Sequence, residues 1–525
     1  MSPSTLNRRG FLALTGAAGI GLGLGLAGCT TTGGAAAGSG GSLSGTSLAL
    51  LPTTAPSNWN AVLAKANAAL QKEHGFTLNA QFINWQNYGQ QSLLKFTAGA
   101  KFDSALQALW LNMAQLQQSN SLANLTTEIN KWPNLKKQVS AQTIAANSWS
   151  GKLWGIPQVN SAGRIQHFTI RKDLADKLGF SDIQDYNTLE KYFYDVKQKV
   201  SGVTPFGASS NETFELALGT PNGLFNQLSW ENPDQAYAAQ FAGSGLWFIF
   251  DEKAAANGTV KLVPLWEDEG VLGAFKKIRQ YYQDGIINAD GLNADSATVQ
   301  AAFTAGKYAS QWAMTDGTAS NVLDALRKAV PGADLEQVLP YGKSFTDVKP
   351  LQTFQADNLV VVNANGGNLD RTLALQDWLS VQENHDLLAY GIEGTDWKPT
   401  ANGGYEQLSS YSFPGYALLW RVALERKSSI MTSSEQKVFA WAKDFDNFTK
   451  SAYASFIPDV TSVKQAAAQM NNVITQYANP LFYGVVDVNS QLDTLKQAAD
   501  AAGLSTLQAE MEKQANAYLK AHKNS

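Results

Sequence analysis

An alternation of short strand-like and helix-like runs near the start of the chain restricts its fold most. "SLALLPTT" (Ser47–Thr54) reads as a short buried strand ended by Pro52. "NWNAVLAKANAALQKEHG" (Asn58–Gly75) spaces its apolar residues as a helix does and stops at glycine. "FTLNAQFINW" (Phe76–Trp85) alternates like a strand, "NYGQQSLLKFTAGA" reads as a helix, and "FDSALQAL" (Phe102–Leu109) as another strand before Trp110. Strands separated by helices predict a parallel sheet with helices on its faces, an α/β fold.

Length adds a second constraint. The chain has 525 residues, and the roughly 480 that follow the N-terminal segment exceed what one hydrophobic core holds, so two lobes are expected. "LWFIF" (Leu246–Phe250), Asn257-Gly258 and "VKLV" (Val260–Val263) read as a hairpin. From Ser462 to Lys520 the pattern is mostly helical.

The N-terminal segment is of another kind. Residues 1–28 contain Arg8 and Arg9, no acidic residue, and an apolar Gly/Ala/Leu run to Ala27. A basic start, an apolar stretch and small residues at its end describe an export signal. The run is short and glycine-interrupted for a membrane span, which needs about 20 apolar residues. "NRRGFLAL" resembles a twin-arginine signal, and "LAGC" resembles the lipobox of bacterial lipoproteins, in which the cysteine takes a lipid. Cys29 is the single cysteine of the chain, so a lipid on it would leave the folded part with no disulfide and no thiolate chemistry. Residues 29–47 are uncharged and rich in Gly, Ala, Ser and Thr. They are expected to form a flexible tether, with folding beginning near Leu48.

Charge and motifs narrow the chemistry. Without the two arginines of residues 1–28 the formal charge moves from −4 to −6, and no basic stripe is present to neutralise the phosphates of a nucleic acid. The chain has no G-x-S-x-G elbow and no H-E-x-x-H. Its four histidines, His74, His167, His385 and His522, are scattered. "YGKS" (Tyr341–Ser344) ends like a phosphate-binding loop, but Gln337 stands where the first glycine belongs. "NADGLNADS" (Asn288–Ser296) clusters Asx residues without the glycine and glutamate positions of a calcium loop. No catalytic residue, metal ligand or cofactor is assigned on these grounds. Fourteen tryptophans suit sugar recognition, because flat indole faces cover the C–H faces of pyranoses, although most indoles in any protein pack its core.

Several local patterns occur together in a recognisable order. "SWSGKLWGIPQ" (Ser148–Gln158), "TIRKDLADKLGF" (Thr169–Phe180), "IRQYYQDGIINAD" (Ile278–Asp290) followed by "AAFTAGKYASQWAM" (Ala301–Met314), and "YGIEGTDWKPT" (Tyr390–Thr400) stand before the C-terminal helical stretch. In this order they resemble family 1 extracellular solute-binding proteins of ABC importers, and within them the large lipoprotein branch that takes up oligosaccharides. The resemblance implies a two-lobed periplasmic-binding-protein-like α/β fold with an inter-lobe ligand cleft and a helical C-terminal region. It places lobe 1 at 48–165 with a return segment at about 305–370, and lobe 2 at 166–304 and about 371–525. It implies an extracellular, lipid-anchored, monomeric receptor, not an enzyme, whose partners are an oligosaccharide and a membrane permease. A secreted glycan-active enzyme and a receptor for a peptide or other solute remain the alternatives.

The expected ligand contacts follow from that cleft. Trp85 ends its strand-like run and Trp110 follows the next, and α/β folds place ligands at the carboxyl ends of strands. Trp312, and Glu393 with Trp397 in "GIEGTDW", are further candidates, and Trp230, Trp247 and Trp420 form a second tier. Arg171 and Asp173 read instead as a helix-start feature.

Overall fold

The computed structural model describes residues 43–163, 166–210, 212–213, 237–240, 246–314, 318–342 and 344–522. Residues 1–28, Cys29 and most of the expected tether lie outside these. No helix among the described residues is long and apolar enough to cross a membrane.

Eight strands organise the two main sheets. They are β1 (Gly45–Pro52), β2 (Phe76–Ile83), β3 (Ser104–Gln107), β4 (Ile156–Gln158), β5 (Gln166–Arg171), β6 (Ser310–Met314), β7 (Leu335–Val338) and β8 (Asn358–Val362). The first sheet has the order β2-β1-β3-β8-β4, with β1 parallel to both β2 and β3 and with β8 antiparallel to both of its neighbours. β1 has a neighbour on each side, and Ala49, Leu50 and Leu51 are buried in succession. β2 lies at the edge, which explains its alternating pattern: Phe76 and Leu78 are buried while Asn79 and Gln81 are exposed.

Helix α1 (Trp59–His74) joins β1 to β2 and ends at Gly75, whose φ of 77° lets its N–H reach the Leu70 and Gln71 carbonyls. Helix α2 (Trp85–Thr97) joins β2 to β3, and its N-cap Asn84 accepts the Gln86 N–H. Helix α3 (Leu369–Trp378) is buried from Thr372 to Trp378 and completes the first core with Leu359–Val362 and Leu418. Helix α4 (Gln382–Ala389) follows it.

The second sheet is antiparallel, in the order β6-β5-β7. Phe168 on β5 stands opposite Trp312 on β6 and Val338 on β7, and these side chains enter the second core. That core also takes Leu495, Leu507, Met511 and Ala515 of the C-terminal helices Val488–Ala501 and Leu504–Ala521.

Among the described residues the chain passes between the two cores three times: after β4, between β7 and β8, and after Leu419. A third apolar cluster lies along these crossings and contains Ala162, Leu339, Phe354, Trp441 and Phe448. Trp441 ends helix α5 (Ser433–Trp441).

Three sequence expectations need adjustment. The strand at Ser47 begins two residues earlier, at Gly45. The expected return segment at about 305–370 reaches the first sheet only through β8, because β6 and β7 pair with β5. Residues 373–379 and 411–419 then belong to the first core rather than the second. Finally, Leu246–Phe250 does pair with Val263–Pro264, but helix Glu252–Ala256 intervenes, so Asn257-Gly258 is not a two-residue hairpin turn.

Candidate functional site

The carboxyl ends of β2 and β3 flank that of β1, and each carries a tryptophan. Trp85 follows β2 by two residues and opens α2, where the Asn84 cap fixes the start of the helix. Trp110 follows β3 by three residues. The two rings meet over the end of β1, with centroids 5.9 Å apart and planes tilted by 39°. Both are unusually open for indoles, Trp85 at 38% and Trp110 at 48% exposure.

Two further rings extend the wall. Tyr416 lies nearly parallel to Trp85, with centroids 5.9 Å apart and 17° between planes. Trp420 meets Tyr416 edge-on at 5.8 Å. Trp85, Trp110, Tyr416 and Trp420 thus form one continuous aromatic surface, drawn from three separate segments of the chain.

The polar edges of this surface are occupied. Trp85 Nε1 donates to the Tyr416 hydroxyl at 3.0 Å, and Trp110 Nε1 donates to the Asp357 backbone carbonyl at 2.9 Å. Tyr88, beneath Trp85, places its hydroxyl 3.0 and 2.9 Å from the Leu50 and Leu106 carbonyls, which ties α2 to β1 and β3. Burial pushes the Tyr88 and Tyr416 hydroxyls above the usual tyrosine range, so both stay neutral at ordinary pH. The four rings themselves are uncharged, and Asn84, Gln86 and Asn87 stand exposed around Trp85.

Trp312 and Trp397 are both buried. Trp312, 6% exposed, packs edge-on against Phe168 at 5.0 Å in the second core. Trp397, 4% exposed, donates its N–H to the Gly391 carbonyl at 3.0 Å. One face of the Trp397 ring meets the Arg426 guanidinium and another side meets Tyr390. Both indoles are buried in this structure, and neither shows an open ring face as Trp85 and Trp110 do. Glu393 is exposed and its backbone bridges to Trp397. Trp247 lies on the strand Leu246–Phe250. Trp230 lies outside the described residues.

Sequence reasoning missed Tyr416 and Asp357. Tyr416 sits in a single 3-10 turn, Gly415–Ala417, with no periodicity to mark it. Asp357 meets Trp110 through its backbone carbonyl, which no side-chain pattern reveals.

Nothing in the polar clusters adds a metal site. Among the described residues no group of three or more His, Cys, Asp or Glu is placed to hold a metal ion. The Asx residues of 288–296 serve the backbone: Asn288 Oδ1 accepts the Ala208 N–H, and Asp295 caps the helix Ser296–Thr304. Arg171 makes a two-pronged pair with Asp173, which also accepts the Asp334 N–H, so both belong to the packing of the second sheet. His167 is buried, and the loss of solvent pulls its pKa down to about 3, so it stays neutral.

Known proteins share this architecture. A carbohydrate ABC transporter substrate-binding protein of Streptococcus pneumoniae serotype 4 is 23% identical over 474 residues, covering 89% of each chain. The crystal structure of the N-glycan transport solute-binding protein of Streptococcus pneumoniae superposes with a TM-score of 0.72 at 19% identity, over 90% of this chain and 99% of that one. Its complex with Man1GlcNAc gives 0.69 at 19% identity, over 91% and 100%. An alginate-binding protein without calcium ion gives 0.61 at 16% identity, over 90% and 98%. Residues 452–520 match a domain of unknown function, DUF3502. Residues 65–390, more than half of the chain, match the bacterial extracellular solute-binding protein family, and the chain belongs to that family.

Proposed function

We propose that this protein is an oligosaccharide receptor of an ABC importer and that Trp85, Trp110, Tyr416 and Trp420 form one wall of its ligand site. The observation that carries this reading is the pair of open indole faces whose N–H groups the protein itself occupies. A sugar hydroxyl already bonds to water, so each exchange for a protein partner gains only about 0.5–1.5 kcal/mol. Much of the affinity must then come from ring faces covering C–H patches. A neutral surface of this kind suits an uncharged saccharide better than an anionic one.

The similar proteins point the same way. One is named for carbohydrate transport, and another was crystallised with Man1GlcNAc and Man5GlcNAc. In this reading the two cores are lobes that close on the ligand by a hinge at the crossings. The protein carries out no reaction and hands its ligand to a membrane permease. It is exported, held at the outer face of the membrane by a lipid on Cys29, and works as a monomer on a flexible tether. "LAGC" and the twin-arginine-like start support the anchor.

Calorimetric titration with Man1GlcNAc, Man5GlcNAc and a panel of neutral gluco- and galacto-oligosaccharides tests the reading. At least one glycan should bind saturably, raise the melting temperature and be recovered intact. Stabilisation by peptides or amino acids and by no glycan, or release of sugar in proportion to protein, would overturn it.

A further inference from the structure

We infer that Arg421 is the positioning residue of the aromatic wall, its buried guanidinium holding the backbone that carries Trp420 and Tyr416. The inference rests on the proposed ligand wall, but part of its test needs no ligand.

Arg421 is 1% exposed. Nη1 donates to the Trp420 carbonyl at 2.7 Å and to Gln158 Oε1 at 3.3 Å. Nη2 donates to Gln376 Oε1 at 2.7 Å, and Nε to Ser380 Oγ at 3.4 Å. All of these acceptors are neutral. The nearby Glu425 acts on the guanidinium only through space, its Oε1 being engaged by the Arg421 backbone N–H and by His385 Nε2. Burial pulls the Arg421 pKa down to about 10, which still leaves it charged at neutral pH.

A buried cation whose direct acceptors are all neutral is costly to desolvate, and Glu425 offsets that cost only through space. What an apolar side chain cannot do is join three elements through a flat fork of donors. Arg421 joins β4 through Gln158, α3 and its end through Gln376 and Ser380, and the segment 415–421 through the Trp420 carbonyl.

Gln376 completes the clamp. While its oxygen takes Arg421 Nη2, its Nε2 donates to the Leu418 carbonyl at 2.9 Å. The carbonyls of Leu418 and Trp420 are thus both pinned, on the stretch of chain between the two rings. From there the contacts run Trp420 to Tyr416, Tyr416 to Trp85, and Trp85 to Trp110. Arg421 also bridges Val159, where the first crossing between the cores begins. A rigid first contact surface needs supporting groups of this kind, since a slightly loose site loses affinity.

The test uses Arg421→Met, Arg421→Lys and Gln376→Leu, each alone and with Trp420→Ala, in the mature chain. Near-UV circular dichroism reports the Trp/Tyr stack without ligand, thermal melts report folding, and titration with Man1GlcNAc or Man5GlcNAc reports affinity. Arg421→Met should lower the near-UV signal to that of Trp420→Ala and weaken binding about tenfold, within the coupling range of contacting residues. Arg421→Lys, which keeps the charge but not the fork, should fall between. In the Trp420→Ala background Arg421→Met should add less than about a twofold loss.

The inference is overturned if Arg421→Met keeps the wild-type near-UV signal and affinity, or weakens binding by the same factor in both backgrounds. If Arg421→Met does not fold, Gln376→Leu, which keeps the cation and frees Leu418, decides by the same readouts. If the wild type binds no saccharide, the functional reading fails while the near-UV comparison still decides the role of Arg421.

Discussion

Trp85 donates its indole N–H to the Tyr416 hydroxyl at 3.0 Å while the two rings lie within 17° of parallel. One bond therefore fixes both the position and the plane of the indole, although Trp85 itself is largely open. Trp85→Phe keeps a ring but removes the donor. The expected result is a modest loss of saccharide affinity, near the 0.5–1.5 kcal/mol net value of one neutral hydrogen bond, or about 2- to 12-fold. Titration of wild type and variant side by side checks this, and an unchanged affinity would show that the ring's orientation does not matter.

Gly415 lies against the Trp420 indole. A Cβ there would come within 2.6 Å of Trp420 Nε1, closer than packed atoms approach. Gly415→Ala should displace Trp420, change the near-UV spectrum and lower affinity about tenfold. A variant with wild-type affinity would remove Trp420 from the wall.

The buried tryptophans should respond differently. Trp312→Ala and Trp397→Ala empty packed sites, and each should cost about 3–5 kcal/mol of folding stability. Denaturant unfolding measures this, and the folded fraction should bind the ligand close to normally. A selective loss of binding in either variant, with stability intact, would return that residue to the ligand site.

His385 provides a pH test of the fold. It is buried between Asp386, at 3.5 Å from Nδ1, and Glu425, at 3.3 Å from Nε2, with Arg426 on the far side of Asp386 and Arg421 beside Glu425. Burial alone lowers a histidine pKa, but hydrogen bonds to the two carboxylates outweigh it and leave the pKa raised. The stabilisation is then fully present below the unfolded value of about 6.5 and is lost as pH rises through the folded value. The Asp386 pKa is lowered: burial opposes this, but bonds from His385 and Arg426 prevail. Its contribution persists across this window and fades only in acid. The stability advantage of wild type over His385→Gln should therefore be larger at about pH 5.5 than at about pH 8.5. An advantage that grows with pH would contradict the assignment.

The anchor proposal concerns Cys29. Cys29→Ala should leave the chain unprocessed or release it from membranes. Fractionation showing a processed, membrane-bound variant like the wild type would end that proposal.

Much of the first sheet was legible in sequence because β2 and α1 carry clear periods, and Pro52 and Gly75 mark the ends of β1 and α1. The placement of Trp85 and Trp110 at strand ends followed from those periods. The path of the chain after residue 300 was not legible, because β6, β7 and β8 are all short and mostly buried runs. Nothing local tells which sheet such a strand joins, and pairing with β5 or with β3 is decided by distant residues. Trp312 and Trp397 looked as eligible as Trp110 because an indole in a short strand or a Gly-bounded loop reads alike whether it is packed or open. Arg421 gave no signal either, since its neutral partners Gln158, Gln376 and Ser380 come from two remote segments.

The central claim is that open indole faces supply the binding energy, and Trp110 tests it most directly. Its ring is 48% exposed and its removal empties no core. Paired calorimetry and thermal melts on wild type and Trp110→Ala, with the glycan that wild type binds, make the measurement. Loss of one stacking face, of order 2–3 kcal/mol of apolar burial, should weaken binding about 30- to 150-fold while the melting temperature of the free protein stays within a few degrees. Unchanged affinity, or a loss that only follows unfolding, would contradict the account.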